Sequence, residues 1–309
     1  MPEILFFAAA GSILPTAVAG VFGLLIGSFL NVVIHRLPRM MERESDDYLP
    51  FYQEGREDAM RLGSAVTSVS YESTVPLPHE DTYNLVLPNS ACPSCGHKIT
   101  ALENVPVVSY LALRGKCSQC KTPISARYPA VELLTGLLSA AMVWHFGSGV
   151  MGGASLAFTY LLIAMTFIDA DTKYLPDILT FPLLWIGLLL NTVNLIVPTG
   201  EAVIGAAAGY LFFWLIGKLF YLLRKTEGMG EGDFKLLAAL GAWFGWKMLP
   251  LIVLVSSFFG AIIGVVLIVL SKRGRNYALP FGPYLAFAGM VALLAGRPII
   301  DAYLSAAGH

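Results

Sequence analysis

The chain has 309 residues, of which 56% are hydrophobic and 13% charged, with a formal net charge of −1. Soluble domains carry about 25% charged residues, so this composition and a mean hydropathy of +0.67 exclude an ordinary soluble fold and indicate an all-α polytopic membrane protein. The near-zero net charge gives no reason to expect a nucleic-acid partner; lipid is the expected surroundings.

Apolar segments long enough for about 30 Å of hydrocarbon fall at roughly 14–34, 130–147, 152–168, 178–197, 201–223, 236–250, 251–271 and 281–296. That is about eight transmembrane helices, with Trp246 to Pro250 as the break between the sixth and seventh. Pro15 interrupts the longer apolar run that begins at residue 4, so 4–13 is expected at the interface. Glu3 stands where a signal peptide would be basic, and no cleaved leader is expected. Three regions follow: an N-terminal transmembrane segment (1–35), a loop domain (36–129) and a transmembrane domain (130–309).

Within the first span, Gly27 and Ser28 allow another helix to approach closely, and Asn31 needs a polar partner. Residues 40–90 then hold ten carboxylates against three arginines, with frequent Ser, Thr and Pro from 64 onward and no sustained apolar period. They read as a solvated, partly flexible insertion; a second reading is an acidic surface that attracts basic peptides.

Cys92-Pro-Ser-Cys95 and Cys117-Ser-Gln-Cys120 follow, separated by 21 residues. Two such knuckles, each offering two thiolates from one turn, are a strong signal for a tetrahedral four-cysteine zinc site. Four cysteines leave no open position for water, so the zinc is structural. A redox role would need a βαβ context that is absent, and His97 is expected to be a bystander. Further on, Glu132 enters the second span past Pro129, with Arg127 as its expected partner.

Two acidic knots lie at span boundaries. The first runs from Ile168 to Asp177 and contains Asp169, Asp171 and Asp177; Asp177 is placed as a helix N-cap and Asp171 in open loop. The second, Glu227 to Lys235, carries Gly230-Glu231-Gly232-Asp233. Its three glycines in five residues let the chain turn tightly at positive φ and clear space beside the carboxylate. The last span opens on Pro280-Phe281-Gly282-Pro283, a boundary that lines a cavity or simply turns.

Charge orients the chain. With the loop after the first span inside, the inner side collects Arg36, Arg39, Lys173, Arg224, Lys225, Lys235, Lys272, Arg273, Arg275 and the whole loop domain. The outer side keeps only Lys247 and Arg297, so both acidic knots face the cytoplasm and both termini the far side.

Two carboxylates brought to one side of a membrane suit peptide hydrolysis. One takes a proton from water while the other gives one to the carbonyl oxygen, and held close they share a proton. Asp169 and Asp233 are the catalytic candidates; by the helix-dipole argument Asp169, closing a helix, holds the shared proton while Asp233 opens one. A transporter would also carry membrane-boundary acids, but with inverted repeats and midplane helix breaks. A non-enzymatic assembly factor could dock through the zinc loop, yet would not need G-x-G-D.

Gly230 to Asp233 is the G-x-G-D of intramembrane aspartic proteases, and Ile168 to Asp177 resembles the I-D-x-D-x-x-x-L-P-D of bacterial type IV prepilin peptidases. The likeness extends to 27–38, Pro88 to Cys92, both cysteine pairs, Glu103-Asn104, Ile124 to Glu132 and Pro280 to Tyr284, sparing only the insertion around 44–82. Archaeal preflagellin peptidases and presenilin-like enzymes share G-x-G-D but typically lack the cysteine loop. The resemblance implies a bacterial inner-membrane enzyme, with periplasmic termini, that removes the basic leader of prepilins and pseudopilins after a glycine on the cytoplasmic side. It implies Asp169 and Asp233 as catalytic residues, and subsequent N-methylation with S-adenosylmethionine, a step associated with the loop. The residues themselves show no Rossmann-type glycine fingerprint, so methylation is expected from the resemblance alone.

Overall fold

A computed structural model describes residues 11–61, 83–225, 230–271 and 279–306. Residues 4–10, the stretch 62–82 of the acidic insertion, Glu227 to Met229, and Lys272, Arg273 and Arg275 lie outside these, as do the side chains of 44–61. Outside the turns and two isolated bridges of residues 83–126, the described residues are mostly helical: α1 (Ile13–Arg61), a short α2 (Val108–Ala112), α3 (Arg127–Phe146), α4 (Val150–Thr172), α5 (Asp177–Thr192), α6 (Thr199–Arg224), α7 (Glu231–Phe244), α8 (Leu249–Ser271) and α9 (Gly282–Ala306). The chain divides into two compact units, residues 1–31 with 126–309, and residues 32–125.

Six of these helices, all but α2, α5 and α7, are long and apolar enough to cross a membrane. At 1.5 Å per residue, α5 with 16 residues and α7 with 14 reach only about 24 and 21 Å. The expected eight elements are thus present, but two are short. Helix α7 is lined almost entirely by protein: from Leu236 to Phe244 every residue is buried, packed by α5, α6, α8 and α9. A helix that meets no lipid need not match the bilayer in length. Helix α1 continues through Pro38 to Arg61, so the first part of the acidic insertion is helical rather than irregular.

Apolar burial in lipid has no hydrophobic driving force, so close packing and hydrogen bonds must hold the bundle. Where α6 crosses α7, Gly205 lies directly against the backbone at Gly241, and a Cβ at Gly209 would stand 2.6 Å from the Leu237 carbonyl oxygen. The α1–α3 contact uses the same device: a Cβ at Gly27 would meet the Glu132 Cα at 2.6 Å. Asn31 donates to the Tyr128 carbonyl at 3.1 Å, which supplies the partner its sequence position demanded.

At the other end of α7, Gly245 takes a left-handed φ of +75° and donates its N–H to the Gly241 carbonyl, ending the helix. Asn191 completes that end. Its amide donates to the Ala242 and Trp243 carbonyls at 2.9 and 3.1 Å, while its oxygen accepts the N–H groups of Ile196 and Val197 at 3.0 Å each. Trp243, fully buried, donates its indole N–H to the Leu183 carbonyl at 2.8 Å. Asn191→Leu removes four hydrogen bonds from a buried junction, and each group left unsatisfied costs about 1–3 kcal/mol. The expected result is a net loss of about 3 kcal/mol after partial relaxation, seen as a clearly lower melting temperature in detergent. An unchanged melting curve would show the junction to be redundant.

Candidate active site and metal centre

Asp169 sits in the last turn of α4. Lys173, with φ +58°, ends that helix and donates its N–H to the Asp169 carbonyl at 2.8 Å. Asp233 sits in the first turn of α7, its N–H directed at the Gly230 carbonyl at 3.2 Å. The two residues are 4% and 8% exposed.

Leu175, in the connection between α4 and α5, lies against the starts of α7 and α9. A Cβ at Gly232 would stand 2.6 Å from Leu175 Cβ, and one at Gly282 would stand 3.2 Å from Leu175 Cδ1 and 2.7 Å from Asp169 Oδ2. Neither Gly230 (φ −73°) nor Gly232 adopts the positive φ expected of this stretch. Glycine is required at 232 because Leu175 leaves no room for a side chain. The carboxylate of Asp169 accepts the N–H of Gly282, at the start of α9, at 2.9 Å. It therefore faces the positive end of a second helix, and the dipole argument no longer separates the two acids.

The other acids of the first knot have cationic partners. Asp171 lies in the final turn of α4 rather than in open loop, where Arg127 grips both its oxygens at 2.8 and 2.7 Å. Asp177 is the first helical residue of α5, with Pro176 at the cap position and no side-chain capping bond. Its carboxylate instead receives Lys235 Nζ at 2.7 and 2.8 Å, across from the first turn of α7. The N-cap expectation for Asp177 is corrected accordingly: the residue after a proline that already holds the cap position is free to pair elsewhere. Glu132 is buried, with its Cα against Gly27 of α1, and Arg127 holds both carboxylate oxygens of Asp171.

In the second unit, the Sγ atoms of Cys92, Cys95, Cys117 and Cys120 all lie within 4.8 Å of one another. The Cys92–Cys120 and Cys95–Cys117 separations are 3.7 and 4.0 Å. A tetrahedron with Zn–S bonds of 2.3 Å has edges of about 3.8 Å, so the donor set fits zinc in both number and spacing. The knuckles are built alike. Cys92 N–H bonds the His97 carbonyl and Cys117 N–H the Thr122 carbonyl, both at 2.9 Å, and Gly96 and Lys121 follow their cysteines at φ +71° and +62°. The Thr122 hydroxyl and amide draw the Cys120 thiol down to about 6, whereas Cys95, despite the His97 amide, is pushed up to about 11 by burial and the neighbouring cysteines.

His97 is oriented away from a ligand role. Its Nε2 lies 3.1 Å from Glu103, whose Oε2 also accepts the Thr100 N–H and hydroxyl at 2.9 and 2.8 Å. The hydroxyl of Ser118, the Thr100 donors and His97 together hold the Glu103 carboxyl down at about 2. Since Ser118 belongs to the second knuckle and His97 follows the first, this carboxylate braces the two against each other. Arg36, buried, ties α1 to the segment before Cys92 by donating to the Asn84 and Pro88 carbonyls, and the Tyr83 ring lies 4.3 Å from the Arg43 guanidinium.

Residues 21–146 match the family model described as the bacterial peptidase A24 N-terminal domain, and residues 156–265 match the type IV leader peptidase family. The chain is 53% identical over 286 residues to a prepilin leader peptidase/N-methyltransferase of Pseudomonas aeruginosa, covering 93% of this chain and 92% of that one. It is 52% identical over 285 residues to the protein of the same name from Aeromonas salmonicida, covering 92% of each. The chain belongs to the type IV leader peptidase family. A further relative of that name, from Burkholderia pseudomallei, is 46% identical over 292 residues, covering 94% of this chain and 89% of its own. No solved structure matches the chain. Membership in this family and the six long apolar helices make it an inner-membrane protein.

Sequence reasoning marked the turn that holds Gly282 as a boundary that lines a cavity or simply turns, but gave Lys235 and Leu175 no individual role. Lys235 was readable as a cation two residues after Asp233 in an apolar helix, a costly position that calls for a counter-ion. Leu175 carries no such signal, and the contact of Gly282 with Asp169 is made only across helices.

Proposed function

We propose that this protein removes the leader peptide of type IV prepilins and pseudopilins with Asp169 and Asp233, and then N-methylates the new N-terminus. The observation that carries this reading is the pairing pattern: Asp169 and Asp233 are both buried at helix ends that Leu175 links through Gly232 and Gly282, while Asp171 and Asp177 are each matched by a cation. Asp169 and Asp233 are thereby the carboxyl pair left to share a proton. In such a pair one member takes a proton from water as it attacks the scissile carbonyl, and the other donates to the carbonyl oxygen. The amine then leaves protonated, and the pair returns to its starting state.

Zinc at Cys92, Cys95, Cys117 and Cys120 would hold the two knuckles together as a structural ion, with all four positions filled by sulfur. S-adenosylmethionine is the methyl source that the second activity requires. The distribution of Lys and Arg favours cleavage on the cytoplasmic side, where a basic leader remains after its apolar helix enters the bilayer.

The test is direct. Purified protein given a prepilin-like peptide, with a basic leader ending in glycine before an apolar helix, should make one cut after that glycine. With S-adenosylmethionine added, the new N-terminus should gain a single methyl group by mass. An intact peptide, or cutting at scattered positions, would refute the reading.

A further inference from the structure

We infer that Gly282 is a positioning residue for the aspartate pair: its main-chain N–H holds the Asp169 carboxylate, and its missing side chain leaves the space that carboxylate occupies. The inference rests on the reading of Asp169 as catalytic. Helix α9 starts with an unusual donor inventory. Tyr284 and Leu285 both give their N–H groups to the Phe281 carbonyl, at 3.1 and 3.2 Å. Pro283 has no N–H to give. Gly282 supplies the remaining N–H of that opening turn, and it points at Asp169 Oδ2 at 2.9 Å in a buried contact.

Steric closeness supports the same assignment. A methyl group at 282 would stand 2.7 Å from Asp169 Oδ2, 3.1 Å from its Cγ and 3.2 Å from Leu175 Cδ1. The carboxylate and Leu175 thus occupy the volume any side chain would need. The segment is anchored on its other side by Phe281, whose ring meets Phe213 edge-on at 5.8 Å, so the N–H is held in place by packing on α6. A carboxylate that must face both water and a scissile carbonyl gains from one fixed donor, since misplacement by about 1 Å can cost on the order of 100-fold in rate.

Two perturbations separate the two parts of this role. Gly282→Ala should lower kcat for leader cleavage on the order of 100-fold with KM within about twofold. Methylation of a synthetic, already cleaved N-terminus should continue. A main-chain ester at 282, which replaces the N–H with oxygen and adds no bulk, should lower kcat about tenfold, the scale of one hydrogen bond to a charged group. Gly289→Ala is the packing control on the same helix, because its Cβ would meet the flexible end of Leu240. It should melt at a similar or lower temperature yet keep its kcat. Parental kcat in the ester form overturns the inference even if Gly282→Ala fails to fold. Asp169→Asn run alongside distinguishes the failures: if it cleaves normally the underlying reading is lost, and if it is inactive while the ester form is unaffected only the role of Gly282 is lost.

Discussion

Asp169→Asn and Asp233→Asn should each reduce prepilin cleavage by roughly two to four orders of magnitude, the range that positioned general acid–base groups contribute. An asparagine keeps the size of the side chain and, at 169, can still accept the Gly282 N–H through its amide oxygen, so the helix ends should stay together. What is lost is the proton traffic between the two groups. Both variants should insert in the membrane and still methylate a cleaved substrate. Asp171→Asn and Asp177→Asn break only half-exposed ion pairs with Arg127 and Lys235. Such pairs are worth about 0–1 kcal/mol, so these two variants should retain most of the cleavage activity. Single-turnover cleavage of one labelled substrate by all four would decide it. Normal cutting by Asp169→Asn with loss in Asp171→Asn would move the chemistry to Asp171, two residues on in the same turn of α4.

Purified protein should carry about one zinc ion, and Cys117→Ser should carry none. Cys117 is the buried member of the four, so its replacement cannot be compensated by a water-exposed ligand swinging in. Structural zinc sites contribute on the order of 10–16 kcal/mol of apparent binding energy at neutral pH. This is comparable to the typical whole stability of a small domain, about 5–15 kcal/mol. The cysteine-bearing part of the second unit, residues 83–125, should therefore become protease-sensitive, and methylation should fall at least about tenfold. Metal analysis, limited proteolysis and the methyl-transfer assay read the three effects separately. A metal-free preparation with both activities intact would remove zinc from the account.

Much of this protein is written in its local sequence. Apolar runs marked the helices because lipid forces every backbone polar group to be satisfied within its own segment. Two C-x-x-C knuckles announced a four-cysteine cluster because each is a self-contained turn that presents two thiols from four residues. The aspartates stood out because a carboxylate at a span boundary is costly and needs a reason. What the chain could not disclose one segment at a time was decided by helix packing. Whether an acid is paired depends on partners 44 residues away for Asp171 and 58 for Asp177. The short length of α7 follows from burial among its neighbours, which replaces lipid as its solvent. Glycine at 232 and 282 answers to Leu175 and Asp169, contacts invisible to any count of local spacing. Local patterns thus determined which residues have chemistry to offer, because backbone hydrogen bonding and turn geometry act over a few residues. Only the tertiary structure decided which acids were neutralised and which were brought together, because those outcomes depend on distances between helices.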